Sequence, residues 1–188
     1  MATPSLIVLF GPQQSGKTSA ADSLVTRARY TRMSFADPIY AMVAAMLQVT
    51  PEEVRRLPKD VPMPRLEGKT LRHALQTLGT EWGRSMLGEP IWLNTLVRRV
   101  KGLVSSGGKA VVDDCRFLDE YVAMEALGAR FVRIRRASLS RPRDGHPSEM
   151  EWRSFEPHAE VPNSAASAPA WALCAAGAIL TALEGAGA

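Results

Sequence analysis

The apolar positions of this chain fall into short unbroken runs separated by longer stretches of helical spacing. Residues 6–10, Leu-Ile-Val-Leu-Phe, make one such run, and its length predicts a strand buried on both faces. Residues 18–29 then place Ala21, Leu24, Val25 and Ala28 on one side of a helix. A short second strand is expected at 30–35 and a Met/Ala-rich apolar helix at 39–47, with Met42 and Met46 as core filling. Thr50-Pro51-Glu52-Glu53 reads as a helix start: a capping threonine, proline in the first turn, acids beside the positive end. Breakers over 59–68 indicate a loop, and 70–86 returns to helical spacing with Leu71, Leu75 and Leu78 on a buried face.

Glu89-Pro90 restarts a helix that runs through Trp92, Leu93, Leu96, Val97 and Val100 to a turn at 105–108. A buried strand at 109–114 ends in two acids, a helix at 117–127 closes on Gly128, and strands follow at 130–134 and 159–161. Asn163 and Ser164 are expected to cap a C-terminal helix. Strands alternating with helices predict a parallel sheet with helices on both faces. No internal repeat is visible.

The turn after the first strand carries the chemistry. Gly11-Pro12-Gln13-Gln14-Ser15-Gly16-Lys17-Thr18 is the G-x-x-x-x-G-K-[ST] phosphate loop, set between a strand and a helix as that motif requires. Its glycines allow a tight turn with N–H groups close to phosphate oxygens, and the next helix aims its positive end at the same place. Gly11, Gln14, Ser15 and Gly16 would line the triphosphate of ATP, Lys17 would reach its β/γ-phosphates, and Thr18 would ligate Mg²⁺.

The 188 residues suit one domain of ordinary globular composition, 46% hydrophobic and 22% charged. Cys115 and Cys174 stand far apart and give neither a disulfide framework nor metal-ligand spacing, which fits a reducing cytoplasm. The start lacks a basic leader and cleavage site, and the Ala-rich tail from 165 is interrupted by Pro169, Gly177 and Glu184, so no signal peptide or membrane span is expected. The net charge of +4 suits an anionic ligand. There is no basic stripe with interleaved aromatics, which argues against DNA as a partner.

Asp113 and Asp114 end a strand at the carboxyl edge of the expected sheet, where open α/β folds bind ligands. Asp113 is favoured for Mg²⁺, directly or through water, and Asp114 for the core edge or the acceptor. Arg136, Arg141 and Arg143 lie on a Pro/Gly-broken segment of lid-like composition and could cover a transferring phosphoryl group. Arg72, Gln76, Thr80 and Arg84 recur every four residues, so one helix face would offer two cations, an amide and a hydroxyl to a phosphate and a base edge. Gly79 interrupts that helix and suggests close approach by a partner. The three histidines, His73, His146 and His158, show no metal or triad spacing.

GPQQSGKT, SFADPIY at 34–40, LQTLGTEWGR at 75–84, DDCRFLDE at 113–120, HPSE at 146–149 and the late Asn163 together resemble the deoxynucleoside monophosphate kinases of tailed bacteriophages. The resemblance covers most of the chain. It implies a P-loop NTPase-type three-layer α/β/α fold with a mostly parallel central sheet, one kinase domain over 1–188, a helical acceptor-binding insert around 37–104 and a short lid around 136–157. It also implies transfer of the ATP γ-phosphate to a 2′-deoxynucleoside 5′-monophosphate with Mg²⁺, in the host cytoplasm. The family's acceptor pocket maps onto Gln13, Asp37, Ile39, Tyr40, Arg72, Gly79, Thr80, Arg116 and Glu120.

Lys17, Asp113, Arg116 and Arg141 are the expected catalytic groups, and Arg136 an ATP contact. Gln13 and Tyr40 stand where family members often carry basic residues, which shifts the acceptor phosphate toward Arg65, Arg72 or Arg84. A phage kinase acting on a hydroxymethylated base in DNA and a dephospho-coenzyme A kinase are the alternatives. Apolar helices at 39–47 and 89–100 leave room for a homodimer.

Overall fold

The computed structural model describes residues 3–136 and 151–186. The chain falls into two compact units: Met1–Ser34 with Val97–Ala188, and Phe35–Leu96.

The first unit is built on a five-stranded parallel sheet of order β2-β3-β1-β4-β5. The strands are β1 (Leu6–Phe10), β2 (Thr31–Met33), β3 (Ala110–Val112), β4 (Arg130–Arg135) and β5 (Ala159–Pro162). β1 sits in the middle, and all five of its side chains are buried, as its unbroken apolar run predicts. Ile7 and Leu9 face one layer, where Val111, Val132 and Ile134 join Leu24 of α1 (Lys17–Ala28) and Trp171, Ala175 and Ile179 of α7 (Ala168–Gly185). The opposite face carries an aromatic cluster of Phe10, Phe131, Phe155 and Tyr121, the last from α6 (Leu118–Glu125). The arrangement is α/β/α.

α7 departs from expectation twice. Ser167, not Asn163 or Ser164, caps it by accepting the Ala170 N–H. It also runs unbroken through Gly177, with Pro169 in its first turn, where proline costs no hydrogen bond. By length and composition it is the one helix among the described residues able to cross a membrane. Its Trp171, Ala175, Ala176, Ile179 and Leu183 nevertheless pack into the core of the sheet unit.

The second unit is helical, with α2 (Asp37–Leu47), α3 (Pro51–Arg56), a 3₁₀ turn (Pro64–Leu66), α4 (Leu71–Gln76) and the beginning of α5 (Ile91–Ser105). Its core is Tyr40, Val43, Ala44, Leu47, Val54, Leu66 and Leu71. Met42 is half-buried, but Met46 is 60% exposed and fills no core. Thr50 caps α3 in a reciprocal box with Glu53, as its Thr-Pro-Glu-Glu start predicts.

The segment expected as one α-helix over 70–86 is α only to Gln76 and continues as a π-helix, Thr77–Leu87. The cause lies in packing. The indole N–H of Trp92 donates to the Gly79 carbonyl at 2.7 Å, and a Cβ on Gly83 would stand 2.2 Å from the same ring. The close approach signalled by Gly79 is therefore internal, with the Ile39 side chain 3.1 Å from where a Cβ would sit. An i→i+5 ladder winds more residues per turn, so four-residue spacing no longer aligns side chains on one face. The single stripe of Arg72, Gln76, Thr80 and Arg84 does not survive past Gln76.

Candidate active site

Sequence dictates the phosphate loop residue by residue. Gly11 leaves β1 at φ +134°, and a Cβ there would stand 2.5 Å from the Ile134 carbonyl oxygen of β4. Gln14 takes a left-handed φ of 63°, which non-glycine residues adopt at a cost and mostly at functional turns. Gly16, at φ +98°, opens α1. The Ser15 N–H closes the turn onto the Pro12 carbonyl at 3.2 Å, whereas the N–H groups of Gln14 and Gly16 make no hydrogen bond among the described residues. The Ser15 hydroxyl is buried and likewise without a partner among them. Unpaired donors at the positive end of a helix are what an oligophosphate satisfies.

The Lys17 ammonium folds back over the loop and donates to the carbonyls of Gly11 (2.8 Å) and Pro12 (2.7 Å). Arg136, at the end of β4, reaches toward the Gln14 carbonyl at 3.5 Å, a long contact that puts its guanidinium beside the loop. The Thr18 hydroxyl donates to Asp113 at 3.2 Å, because β1 and β3 are paired and both chains leave the sheet at the same edge.

Asp113 is buried at 6% exposure and carries a partner that sequence reasoning missed. Arg32 of β2 forks onto both its oxygens, Nε to Oδ1 at 3.1 Å and Nη2 to Oδ2 at 2.8 Å, and extends its other amine to Asp22 at 3.1 Å. Burial opposes the guanidinium charge, but the two aspartates outweigh it and raise the Arg32 pKa. Asp114 turns elsewhere, accepting the Ser34 hydroxyl at 2.5 Å. So Asp113 stands beside Thr18, and Asp114 is tied to the end of β2.

Past the acids, Glu120 is 4% exposed and caps its own helix, one oxygen accepting the N–H groups of Arg116 (2.8 Å) and Phe117 (3.2 Å). Burial pushes its carboxyl up to about 8, with Asp114 and Asp119 adding to the shift and the two N–H bonds working against it. The Arg116 side chain is exposed and so is Gln13. Cys115 is buried, and burial together with the neighbouring acids raises its thiol well above the usual range, so it is no nucleophile. His158 is structural: its ring accepts the Phe131 N–H at 3.1 Å and stacks on the Phe131 side chain.

In the helical unit, Asp37 pairs with Arg55 at 2.5 Å, and that guanidinium lies 4.1 Å over the Tyr40 ring. Lys59 stands 5.9 Å from the same ring. Sequence reasoning missed both cations, although each bears on the position where Tyr40 lacks a charge of its own. Arg72 forks onto exposed Asp60 at 2.5 and 3.1 Å. Arg65 is exposed on the 3₁₀ turn, Gln76 and Thr80 are exposed, and Arg84 is half-buried on the π-helix. Arg141, Arg143 and residues 146–149 of the expected lid lie outside the described residues. Of its remainder, the carboxylate of Glu151 accepts the Leu118 N–H at 3.0 Å.

No family model matches the chain. A protein of Acanthamoeba polyphaga mimivirus named "Putative deoxynucleotide monophosphate kinase" is 29% identical to it over 167 residues, spanning 80% of this chain and 83% of its own. Among solved structures, a "putative kinase" from Chloroflexus aurantiacus is 17% identical with a TM-score of 0.43, over 72% of this chain. This chain spans 62% of that kinase. A sugar kinase from Janibacter sp. HTCC2649 is 15% identical with a TM-score of 0.48, over 96% of this chain and 95% of its own.

Proposed function

We propose that this protein is a kinase that transfers the γ-phosphate of ATP to a 2′-deoxynucleoside 5′-monophosphate, giving the diphosphate. The observation that carries the reading is the gathering of Lys17, Thr18 and Asp113 at the mouth of a loop that presents unpaired N–H donors. The mimivirus relative supports the acceptor class. The same donors fit a triphosphate, and Thr18 with Asp113 fits Mg²⁺, whose charge would offset that of the β- and γ-oxygens.

Each residue then has a task. Lys17 exchanges its two loop carbonyls for phosphate oxygens, a stronger pairing because both partners are charged. Thr18 donates its hydroxyl hydrogen bond to Asp113 and so turns its lone pairs outward. Arg136 and, in the segment whose sequence reads as a lid, Arg141 would supply positive charge where the transferring group builds negative charge. Arg116, beyond the acids, supplies a guanidinium for a phosphate. For the acceptor, the helical unit offers Asp37, Ile39, Tyr40, Gly79, Thr80 and Arg84, with Arg55 adding the cation that Tyr40 lacks. Gln13, Arg65, Arg72, Gln76, Asp114 and Glu120 complete the proposed acceptor set.

The test is ATP consumption by the purified protein with each deoxynucleoside monophosphate in turn, then with duplex DNA, with and without Mg²⁺. Conversion of at least one monophosphate to its diphosphate is expected, and Lys17→Ala should lower it about 10²–10³-fold. Acceptor-independent hydrolysis would mark a nucleotide-driven switch instead. Phosphorylation of DNA alone would assign the other substrate class.

A further inference from the structure

Two side chains from the far end of the sequence grip the phosphate loop. The Asn163 amide donates to the Ser15 carbonyl at 2.9 Å, and the Trp171 indole N–H donates to the Gly16 carbonyl at 3.0 Å. Both are buried, at 6% and 3% exposure. Asn163 is itself pinned: its N–H donates to the Arg135 carbonyl at 2.6 Å, and its Oδ1 accepts the Ala165 N–H at 3.2 Å. Trp171 is fixed by the packing of α7 into the core beside α1. The fit leaves no slack at Gly16, where a Cβ would meet the Asn163 amide at 2.5 Å and the Trp171 ring at 2.9 Å.

Peptide geometry converts these two bonds into an aim. In a trans peptide the C=O of one residue and the N–H of the next lie in one plane and point in opposite directions. Drawing the Ser15 carbonyl toward Asn163 turns the Gly16 N–H the other way. The Gly16 carbonyl accepts the Ala20 N–H of α1 at 3.0 Å as well as the Trp171 indole, and the two together turn the Lys17 N–H the other way. Those are the donors that a phosphate loop offers to its ligand. We propose that Asn163 and Trp171 are positioning residues that fix the Ser15–Gly16 and Gly16–Lys17 peptide planes, so that their N–H groups point at the phosphates before nucleotide arrives. The inference rests on the nucleotide reading of the loop. It explains why Asn163 is spent on the loop while Ser167 caps α7.

The experiment measures ATP and ADP affinity by calorimetry, nucleotide-free melting temperature, and steady-state kinetics for wild type, Trp171→Phe and Asn163→Ala. Phenylalanine keeps an aromatic ring in the core while removing the indole N–H together with part of the ring volume. Each variant should bind ATP about tenfold more weakly, the ratio one well-placed hydrogen bond commands. The KM for ATP should rise while the KM for the acceptor stays, and Trp171→Phe should melt within a few degrees of wild type. Tryptophan emission should change when ATP binds wild type and change less in Trp171→Phe.

Unchanged ATP affinity in Trp171→Phe, whatever its melting temperature, would reduce the residue to core packing and overturn the proposal. If that variant fails to fold, Asn163→Ala decides by the same criterion. Wild type that binds no ATP would sink the nucleotide reading and this inference with it. Wild type that binds ATP beside variants that bind it equally well would sink this inference alone.

Discussion

Replacing Arg32 with methionine should destabilise the protein before any ligand is considered. The Asp113 side chain is 4% exposed and has three donors: two nitrogens of Arg32 and the more distant Thr18 hydroxyl. Methionine keeps the apolar stem of arginine but removes two donors and the charge, leaving a buried carboxylate with one neutral partner. Breaking a fully buried ion pair costs about 3–5 kcal/mol. Arg32 itself is 30% exposed, so water reaches the gap and Thr18 still donates, which lowers the expectation to about 2–3 kcal/mol. The outer bond to Asp22, whose side chain is 56% exposed, adds at most about 1 kcal/mol. For a chain of this size the loss is a fall of about 4–12 °C in melting temperature. Urea denaturation followed by circular dichroism, without nucleotide, measures it. Adding Asp113→Asn to the variant removes the stranded charge and should restore at least about 1 kcal/mol, a coupling the double-mutant cycle isolates. A loss within about 0.5 kcal/mol, or a double variant no more stable than Arg32→Met, would refute the reasoning.

Glu120 predicts a pH dependence of stability. Its folded pKa, about 8, lies above the unfolded value, so the folded state holds the extra proton and stability falls as pH rises toward 8. His158, with its pKa lowered by burial, acts in the opposite direction at more acid pH, so the informative window is pH 6.5–8.5. Glu120→Gln should flatten a slope of at most about 1.4 kcal/mol per pH unit there, read as melting temperature against pH, and an unchanged slope would mean that Glu120 titrates normally. Arg72→Ala removes only an exposed pair with Asp60 and should change stability by no more than about 1 kcal/mol. If Arg72 serves the acceptor, the same variant raises the acceptor KM and leaves that for ATP alone; an acceptor KM equal to wild type removes it from the site.

The parts of this molecule that could be read from sequence are those written in consecutive residues. β1 and its loop are legible because five apolar side chains, two glycines and a Lys-Thr pair stand in one unbroken stretch. The cap of α3 is legible because Thr50 and Glu53 meet within one turn. Arg32 was not, since its meaning depends on Asp113, 81 positions later, and β2 and β3 become neighbours only in the folded sheet. Asn163 and Trp171 reach the loop across 148 and 155 positions. Asn163 looked like a cap because asparagine favours caps, and that local preference lost to a tertiary partner. The π-helix was invisible for a related reason. Its sequence is compatible with an α-helix, and the widened turn reflects Trp92, on the following helix, taking the Gly79 carbonyl.

The same long-range pairing bears on how the two adjacent acids divide their work. A carboxylate offers about four lone-pair positions, and Asp113 already fills three of them with Arg32 and Thr18. Its charge is largely balanced by the guanidinium, so it can stand close to a triphosphate without repelling it. The Thr18 hydroxyl has a single hydrogen and donates it in a hydrogen bond to Asp113, which leaves the lone pairs of the threonine oxygen free to accept. On the proposed reading, Thr18 would hold Mg²⁺ with Asp113 in support, directly or through water. Asp114, held by Ser34 at the end of β2, has no such connection to the loop's threonine. The two acids therefore differ in the neighbours they find: Asp113 meets the threonine that ends the phosphate loop and the arginine of β2, and Asp114 counts the Ser34 hydroxyl among its partners.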